Sequence, residues 1–216
     1  MDEVYKAFSV CYFFLIWWND VYYRRRWPLK KLLGPQLWRD FNKVFNFVKK
    51  YCEEKLITIN IDNDFQRELV FIFDMLKSKK SIGSTGASKV LHILNPELFI
   101  PRDTKIRKGF GLSGNGASYA KFTVELQRIA KELDEKHGER EILEEHVRSL
   151  GWHQLNRNLE PLTKIIDESN FLIFTRVGFR RRKCKVSNIE MRVKRILELL
   201  ETNLKGEVLE RKLKEL

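Results

Sequence analysis

Residues 81–112 read SIGSTGASKVLHILNPELFIPRDTKIRKGFGL, and this stretch decides the fold that the sequence predicts. Glycine and small polar residues fill positions 83–86, and an apolar helical periodicity follows at 87–94 until an Asn-Pro pair ends it. Asp103 comes two residues after a second proline and just before another apolar periodicity. The stretch therefore predicts a turn, a helix, a second turn and a second helix.

The glycine-bearing turn opens a helix, so its backbone N–H groups are available to a phosphate. Such contacts position a protein on nucleic acid without reading the base sequence. Lysines on both sides of the turn add positive charge. The residues predicted to contact nucleic acid here are Lys79, Lys80, Gly83, Ser84, Thr85, Gly86 and Lys89. An ordinary helix–helix turn with solvated lysines has the same pattern, and both interpretations stay open.

Asp103 is the only acidic residue in 100–112, where Arg102, Lys105 and Arg107 lie close to it in sequence. Aspartate after a turn is a preferred N-cap residue, and its charge suits the positive end of the helix dipole. The neighbouring cations favour the ionised carboxylate, which is also the form that catalysis by a carboxylate requires. Capping does not exclude catalysis, so three interpretations stay open for Asp103: a cap only, a cap that also catalyses, or another role.

The stretch resembles the helix-hairpin-helix DNA glycosylase superfamily, of the endonuclease III and MutY type. The family hairpin Gly-Φ-Gly-x-x-Thr-Ala, where Φ is apolar, is similar to residues 81–87, and Asp103 and Arg107 match the aspartate and the arginine that follow it. The resemblance is local, over residues 81–112, and needs no gap. It implies a mostly α, glycosylase-like helical bundle that binds double-stranded DNA, with Arg107 among the residues that contact the nucleic acid. It also implies that Asp103 is catalytic, stabilising an oxocarbenium-like sugar or activating water at a flipped nucleotide.

Three departures from the family pattern bear on the chemistry. Ser81 replaces the first hairpin glycine, Gly86 replaces the usual threonine, and Thr85 stands where bifunctional members carry a lysine nucleophile. Lys89 lies one helical turn further on, about 6 Å along the axis, and does not substitute for that lysine. We therefore expect a monofunctional DNA glycosylase of base-excision repair or a non-catalytic nucleic-acid-binding module. Whether the protein is an enzyme stays open.

The charge balance favours a polyanionic partner. Lysine and arginine total 41 against 29 acidic residues, a net charge of +12. Nucleic acid is the first candidate and an anionic membrane surface the second. Residues 22–31 and 175–186 are further basic patches with interleaved aromatic residues, and Arg180, Arg181 and Arg182 are predicted to contact nucleic acid. An exposed hairpin rim also explains 175–186.

Cysteine and histidine usage predicts no cofactor and no metal. Cys11, Cys52 and Cys184 are far apart, so the chain has neither a disulfide framework nor the cysteine cluster of iron–sulfur glycosylases, and we predict a reducing, cytoplasmic location. No histidine stands in a metal-binding motif, and His92 is predicted to pack or to form a hydrogen bond.

The apolar run at 7–18 is shorter than the roughly 20 residues that a membrane span needs. It predicts a buried first helix, and no membrane span. The third functional hypothesis is an interfacial helix on a membrane surface, because the basic patch at 22–31 follows at once.

The rest of the chain also predicts a mostly α fold. Apolar periodicities of a helix occupy 36–53, 64–77, 115–137 and 187–200, with Asp64 as a cap and Gly138 as a stop. Strand signals are limited to 56–61, which a turn also accommodates, and to a small β-hairpin near 170–186. We predict one compact helical protein over 1–216, or two helical lobes that flank 81–112. The sequence does not predict the oligomeric state.

Overall fold

The computed structural model describes residues 3–4, 6–11, 13–14, 35–79, 82–138, 163 and 166–167. This part of the chain is mostly helical and contains no strand, which confirms the mostly α prediction. The helices with defined bounds are α1 (Pro35–Lys50), α2 (Asn63–Lys77), α3 (Gly83–Leu94), α4 (Thr104–Gly109) and α5 (Gly116–His137). The hairpin near 170–186 and the helix at 187–200 lie outside the described residues, and the division into one domain or two lobes stays a prediction.

Helix α2 is the central element, and its predicted apolar face is confirmed. Its buried side chains include Phe65, Leu69, Ile72, Phe73 and Leu76. The helix packs against α1, α3 and α5. Most of the apolar residues in the described part join one continuous core around it. This packing positions α3 and the segment that carries Asp103.

The start of α2 corrects one prediction about capping. Asp62, not Asp64, is the N-cap, because its Oδ1 accepts a hydrogen bond of 2.8 Å from the Phe65 N–H. Asp64 lies in the first helical turn, where it forms an exposed ion pair with Arg67. Both aspartates suit the positive end of the helix, so the pattern alone did not separate them.

Helix α5 begins where its backbone lies close to that of α2. A Cβ atom on Gly116 would lie 2.9 Å from the Cα of Val70, and closer still to the Val70 carbonyl oxygen. The Gly116 N–H donates to Asp74 Oδ1 at 2.8 Å. At the other end, Gly138 has a φ of 74° and stops the helix as predicted. Only glycine fits the α2–α5 crossing without moving one helix.

Residues 56–61 form turns and irregular backbone between α1 and α2, so their strand signal was misleading. Leu56 and Ile59 are buried, but their carbonyl oxygens accept hydrogen bonds from Gln127 Nε2 at 2.8 Å and 2.7 Å. A side chain of α5 thus satisfies the polar groups that a strand would pair with a neighbour. Helix α1 also ends earlier than its periodicity predicts, and Cys52 is exposed in the following turn.

The described residues of the apolar N-terminal run are helical and pack against α1 through one face. The rings of Phe8 and Phe41 lie 5.1 Å apart in an edge-on arrangement, and Cys11 is buried. On the other face, Val10 and Phe13 are exposed. Among the helices of the described part, none is long and apolar enough to cross a membrane.

Candidate functional site

Helix α3 begins at the predicted hairpin turn, four residues earlier than its apolar periodicity. Gly83 has a φ of 59°, a conformation that favours glycine. A Cβ atom on Gly83 would meet no atom of the described residues within 4 Å, so the backbone is open to approach there. The N-cap residue Ile82 supplies no side-chain hydrogen bond to the first turn. The turn therefore lies beside open space, although the Gly83 and Gly86 N–H groups already donate to the carbonyl oxygens of Lys79 and Ile82 at 3.0 Å and 3.1 Å.

A buried serine joins the hairpin helix to the segment that carries Asp103. The Ser88 hydroxyl accepts a hydrogen bond of 2.9 Å from the Arg102 N–H. It lies 3.0 Å from the Thr85 carbonyl oxygen and 3.3 Å from that of Arg102, either of which accepts its proton. Ser88 is fully buried, so this link is shielded from water. The hairpin turn and the aspartate are thus held by the same side chain.

Asp103 caps α4, as the local pattern predicted. Its backbone is extended, and its Oδ1 accepts a hydrogen bond of 2.7 Å from the Ile106 N–H. The side chain is half-buried. The Oδ2 atom accepts no hydrogen bond from any described residue. Capping therefore uses one carboxylate oxygen, and the catalytic role of Asp103 stays a prediction.

Arg102 is the unexpected residue of the site. It is only 1% exposed, and its guanidinium carbon lies 5.1–5.6 Å from the ring centres of Phe73, Tyr119 and Phe122. Its Nη1 donates to the Ser118 carbonyl oxygen at 3.0 Å. The sequence showed Arg102 only as one more cation near Asp103. The sequence signal that could have indicated its burial is the aromatic residues on α2 and α5, because ring faces attract a cation.

Burial is the main cause of the pKa shifts of Arg102 and of Tyr119, one of the three rings around it. It lowers the pKa of Arg102 to about 10, and the positive charge of Arg107 acts in the same direction. Burial also raises the pKa of Tyr119, although the nearby Arg102 opposes that shift. The Tyr119 hydroxyl donates to the Ile100 carbonyl oxygen at 3.0 Å, so the phenol is held in its neutral form.

Arg107 lies beside the hairpin turn. A Cβ atom on Gly114 would be 3.5 Å from Arg107 Nη1 and 3.7 Å from Ser84 Cβ, so these two side chains flank the same point. Arg107 and Ser84 are half-buried. The structure thus brings Arg107 close to the hairpin residue Ser84, and it connects Asp103 to the hairpin helix through the Ser88–Arg102 hydrogen bond.

The predicted lysines and arginines divide into several environments. Lys79 forms an ion pair with the buried carboxylate of Asp40, so its charge is used inside the protein. The Lys89 Nζ lies 5.8 Å from the ring centre of Phe14. Lys80, Arg180, Arg181 and Arg182 lie outside the described residues. Their nucleic-acid contacts, like those of Lys79 and Lys89, stay predictions.

His92 has the structural role that was predicted for it. Its Nδ1 lies 2.7 Å from the Phe99 carbonyl oxygen and donates to it. In the described part of the chain, no group of histidine, cysteine and acidic residues is arranged to hold a metal ion.

Comparison of the chain with protein-family models, with curated proteins and with solved structures gave no match. The candidate site therefore stands on its own geometry.

Proposed function

We propose that the protein is a DNA-binding helix-hairpin-helix protein that acts as a monofunctional DNA glycosylase. The observation that carries the proposal is the Ser88 link, which joins the first turn of α3 to the residue before Asp103. The hairpin turn and the segment that carries Asp103 would then keep a fixed separation when DNA binds to the hairpin. The resemblance over 81–112 implies that a phosphate-binding turn and an aspartate act together.

The proposed chemistry needs one carboxylate oxygen besides the one used for capping. Asp103 Oδ1 holds the helix, while Oδ2 has no partner among the described residues. In the reaction, the C–N glycosidic bond breaks and the base leaves with the bonding electrons. Water then attacks the sugar carbon, and Oδ2 stabilises the positive charge and accepts the proton of water. Hydrolysis of this kind requires neither a lysine nucleophile nor a lyase step, consistent with Thr85 in the hairpin.

The decisive experiment compares two N-cap aspartates. Asp103 and Asp62 cap α4 and α2 with nearly equal hydrogen bonds of 2.7 Å and 2.8 Å. Asparagine caps a helix about as well as aspartate, so Asp103→Asn and Asp62→Asn should both keep the fold. Base release is measured on duplexes that carry deaminated, oxidised or mismatched bases.

We expect Asp62→Asn to retain base release and Asp103→Asn to lose it by a factor of about 100 or more, the usual contribution of a positioned acid or base. Equal activity of the two variants would remove the catalytic role of Asp103. If the wild-type protein releases no base from any duplex, the glycosylase proposal fails, and DNA binding is left to be tested on its own.

The second candidate is a non-catalytic nucleic-acid-binding module. The observation that favours it is the open backbone at Gly83, beside which a phosphate can approach the first turn of α3. Binding should then weaken steeply with salt and be similar for many base sequences. Lys80→Gln/Lys89→Gln should weaken it, whereas the matched loss of two exposed cations on α5, Lys121→Gln/Lys131→Gln, should have a smaller effect. Binding that does not respond to salt would contradict this candidate.

A further inference from the structure

The described residues contain a cluster of buried polar side-chain atoms that have no hydrogen-bond partner. These atoms are Nε and Nη2 of Arg102, Nε of Arg107 and the hydroxyl oxygens of Ser84 and Ser118. Such atoms are uncommon in folded proteins, because each has given up its hydration without a replacement. All of those found in the described part belong to these four residues, around the first turns of α3 and α5. Their concentration indicates a polar partner that binds there.

The charges of the cluster select the sign of that partner. Arg102 and Arg107 are close enough for each positive charge to act on the other. No carboxylate of the described residues forms an ion pair with either guanidinium. Asp103, the adjacent acid, is turned to the Ile106 N–H as a cap. The charge of Asp167 acts on Tyr119, but Asp167 forms no ion pair with either arginine. A buried and a half-buried cation, neighbours without an ion-paired anion among the described residues, favour an anionic ligand.

The geometry of Arg102 selects a ligand with paired oxygens. Its Nε and Nη2 atoms lie on one edge of the guanidinium plane and form the fork that binds two oxygens of one group. The remaining nitrogen, Nη1, is fixed by the Ser118 carbonyl oxygen, and three aromatic rings surround the group. The fork is therefore held in place before a ligand arrives.

We propose that Arg102, Arg107, Ser84 and Ser118 bind a single phosphate group. Two guanidinium charges match a phosphate dianion better than a carboxylate, and the two hydroxyls add donors for its further oxygens. The ligand is inorganic phosphate or the terminal phosphate of a nucleic-acid strand, because an internal phosphodiester has only two free oxygens. This site goes beyond the proposed function, since it requires neither base release nor binding of an internal DNA phosphate.

The experiment titrates the full chain with inorganic phosphate at constant ionic strength, set with sodium chloride. Binding is measured by calorimetry, and the thermal midpoint is followed in parallel. We expect one saturable site per chain and a midpoint that rises with the phosphate concentration, because a ligand of the folded state stabilises it. The titration extends to about 50 mM phosphate, which is about 100 times a Kd of about 0.5 mM. Absence of saturable binding over this range would overturn the proposal.

Matched variants locate the site. Arg107→Gln and Ser84→Ala should each weaken phosphate binding, the arginine change by about tenfold or more. Arg128→Gln and Ser113→Ala remove the same groups from exposed positions and should bind as the wild type does. Arg102→Met should lose the phosphate response altogether; if it does not fold, the Arg107 and Ser84 variants decide. Wild-type binding by both Arg107→Gln and Ser84→Ala would refute the site.

A second arm identifies the source of the phosphate. Single-stranded oligonucleotides with a 5′-phosphate, a 3′-phosphate or only hydroxyl ends are compared for affinity. Tighter binding of a phosphorylated end, lost in Arg107→Gln, would assign the site to a strand terminus. Equal affinities together with saturable binding of inorganic phosphate would assign it to the free anion. Because inorganic phosphate is tested without DNA, failure of this site and failure of the proposed function are separate results.

Discussion

Replacement of Gly116 by alanine should weaken the fold more than a glycine-to-alanine change at a position that has room for a Cβ atom. The added Cβ would lie 2.9 Å from the Cα of Val70 and 3.0 Å from Asp74 Oδ2, and closer than either to the Val70 carbonyl oxygen. Backbone atoms in the middle of α2 move only if the helix moves. The methyl group is therefore accommodated by separating α5 from α2 at the crossing.

The expected cost follows from the loosened packing. A separation of about 0.5–1 Å forfeits a quarter to a half of the van der Waals attraction across the affected contacts. It also strains the hydrogen bond of 2.8 Å from the Gly116 N–H to Asp74. Overpacking of this kind costs about 1–3 kcal/mol, and the better helix propensity of alanine returns about 0.5–1 kcal/mol of it. The difference is a net loss of up to about 2.5 kcal/mol, centred on about 1 kcal/mol, or about 2–4 °C in the thermal midpoint for each kcal/mol in a chain of this size.

The assay is thermal and urea unfolding followed by circular dichroism, with Gly114→Ala as the matched control. The nearest atom to a Cβ on Gly114 is Arg107 Nη1 at 3.5 Å, an ordinary contact with the end of a flexible side chain. Gly114→Ala should change the free energy of unfolding by less than about 0.5 kcal/mol. If Gly116→Ala is as stable as the wild type, or if both variants lose the same stability, the close-approach argument is wrong.

Three further predictions concern a helix cap, the reactivity of two free cysteines and an ion pair with a buried carboxylate. Asp62→Ala should lower the free energy of unfolding, measured by urea titration, by about 1 kcal/mol, whereas Asp64→Ala should change it by less than half of that. Equal effects of the two substitutions would contradict the assignment of Asp62 as the cap. Burial raises the pKa of the Cys11 thiol to about 12, so iodoacetamide at pH 8 should label the exposed Cys52 well before Cys11, as peptide mass mapping will show. Early labelling of Cys11 would contradict its burial. Lys79→Met should lower the thermal midpoint, because it removes an ion-pair partner of the buried Asp40 carboxylate. An unchanged midpoint would show that the other interactions of that carboxylate are sufficient.

Helices and their buried faces were largely predictable from the sequence, because a periodicity of 3.6 residues records which side of a helix is buried. The face of α2 at Phe65, Leu69, Ile72 and Leu76 is the clearest case. Precise ends were less predictable, since acids at neighbouring positions all suit a helix start. The turn at 56–61 was not distinguishable from a strand. Its backbone carbonyl oxygens are bonded by the side chain of Gln127, which is distant in sequence.

The site was predictable only where it depends on local geometry. The Asp103 cap follows from a short pattern, and the structure contains it. The burial of Arg102 depends instead on Phe73, Tyr119 and Phe122, which tertiary packing alone brings around it. A charged residue in a basic run is ordinarily assigned to the surface, so composition pointed away from the observed position.

The extended backbone before α4 explains how neighbouring residues of opposite charge came to have opposite environments. Successive side chains of an extended segment point to opposite sides, so an inward Arg102 requires an outward Asp103. The Ser88 hydrogen bond to the Arg102 N–H fixes which of the two points inward. Loss of that bond, as in Ser88→Ala, should therefore disturb the phosphate response and any base release together. A variant that changes only one of them would show that the two sites are held independently.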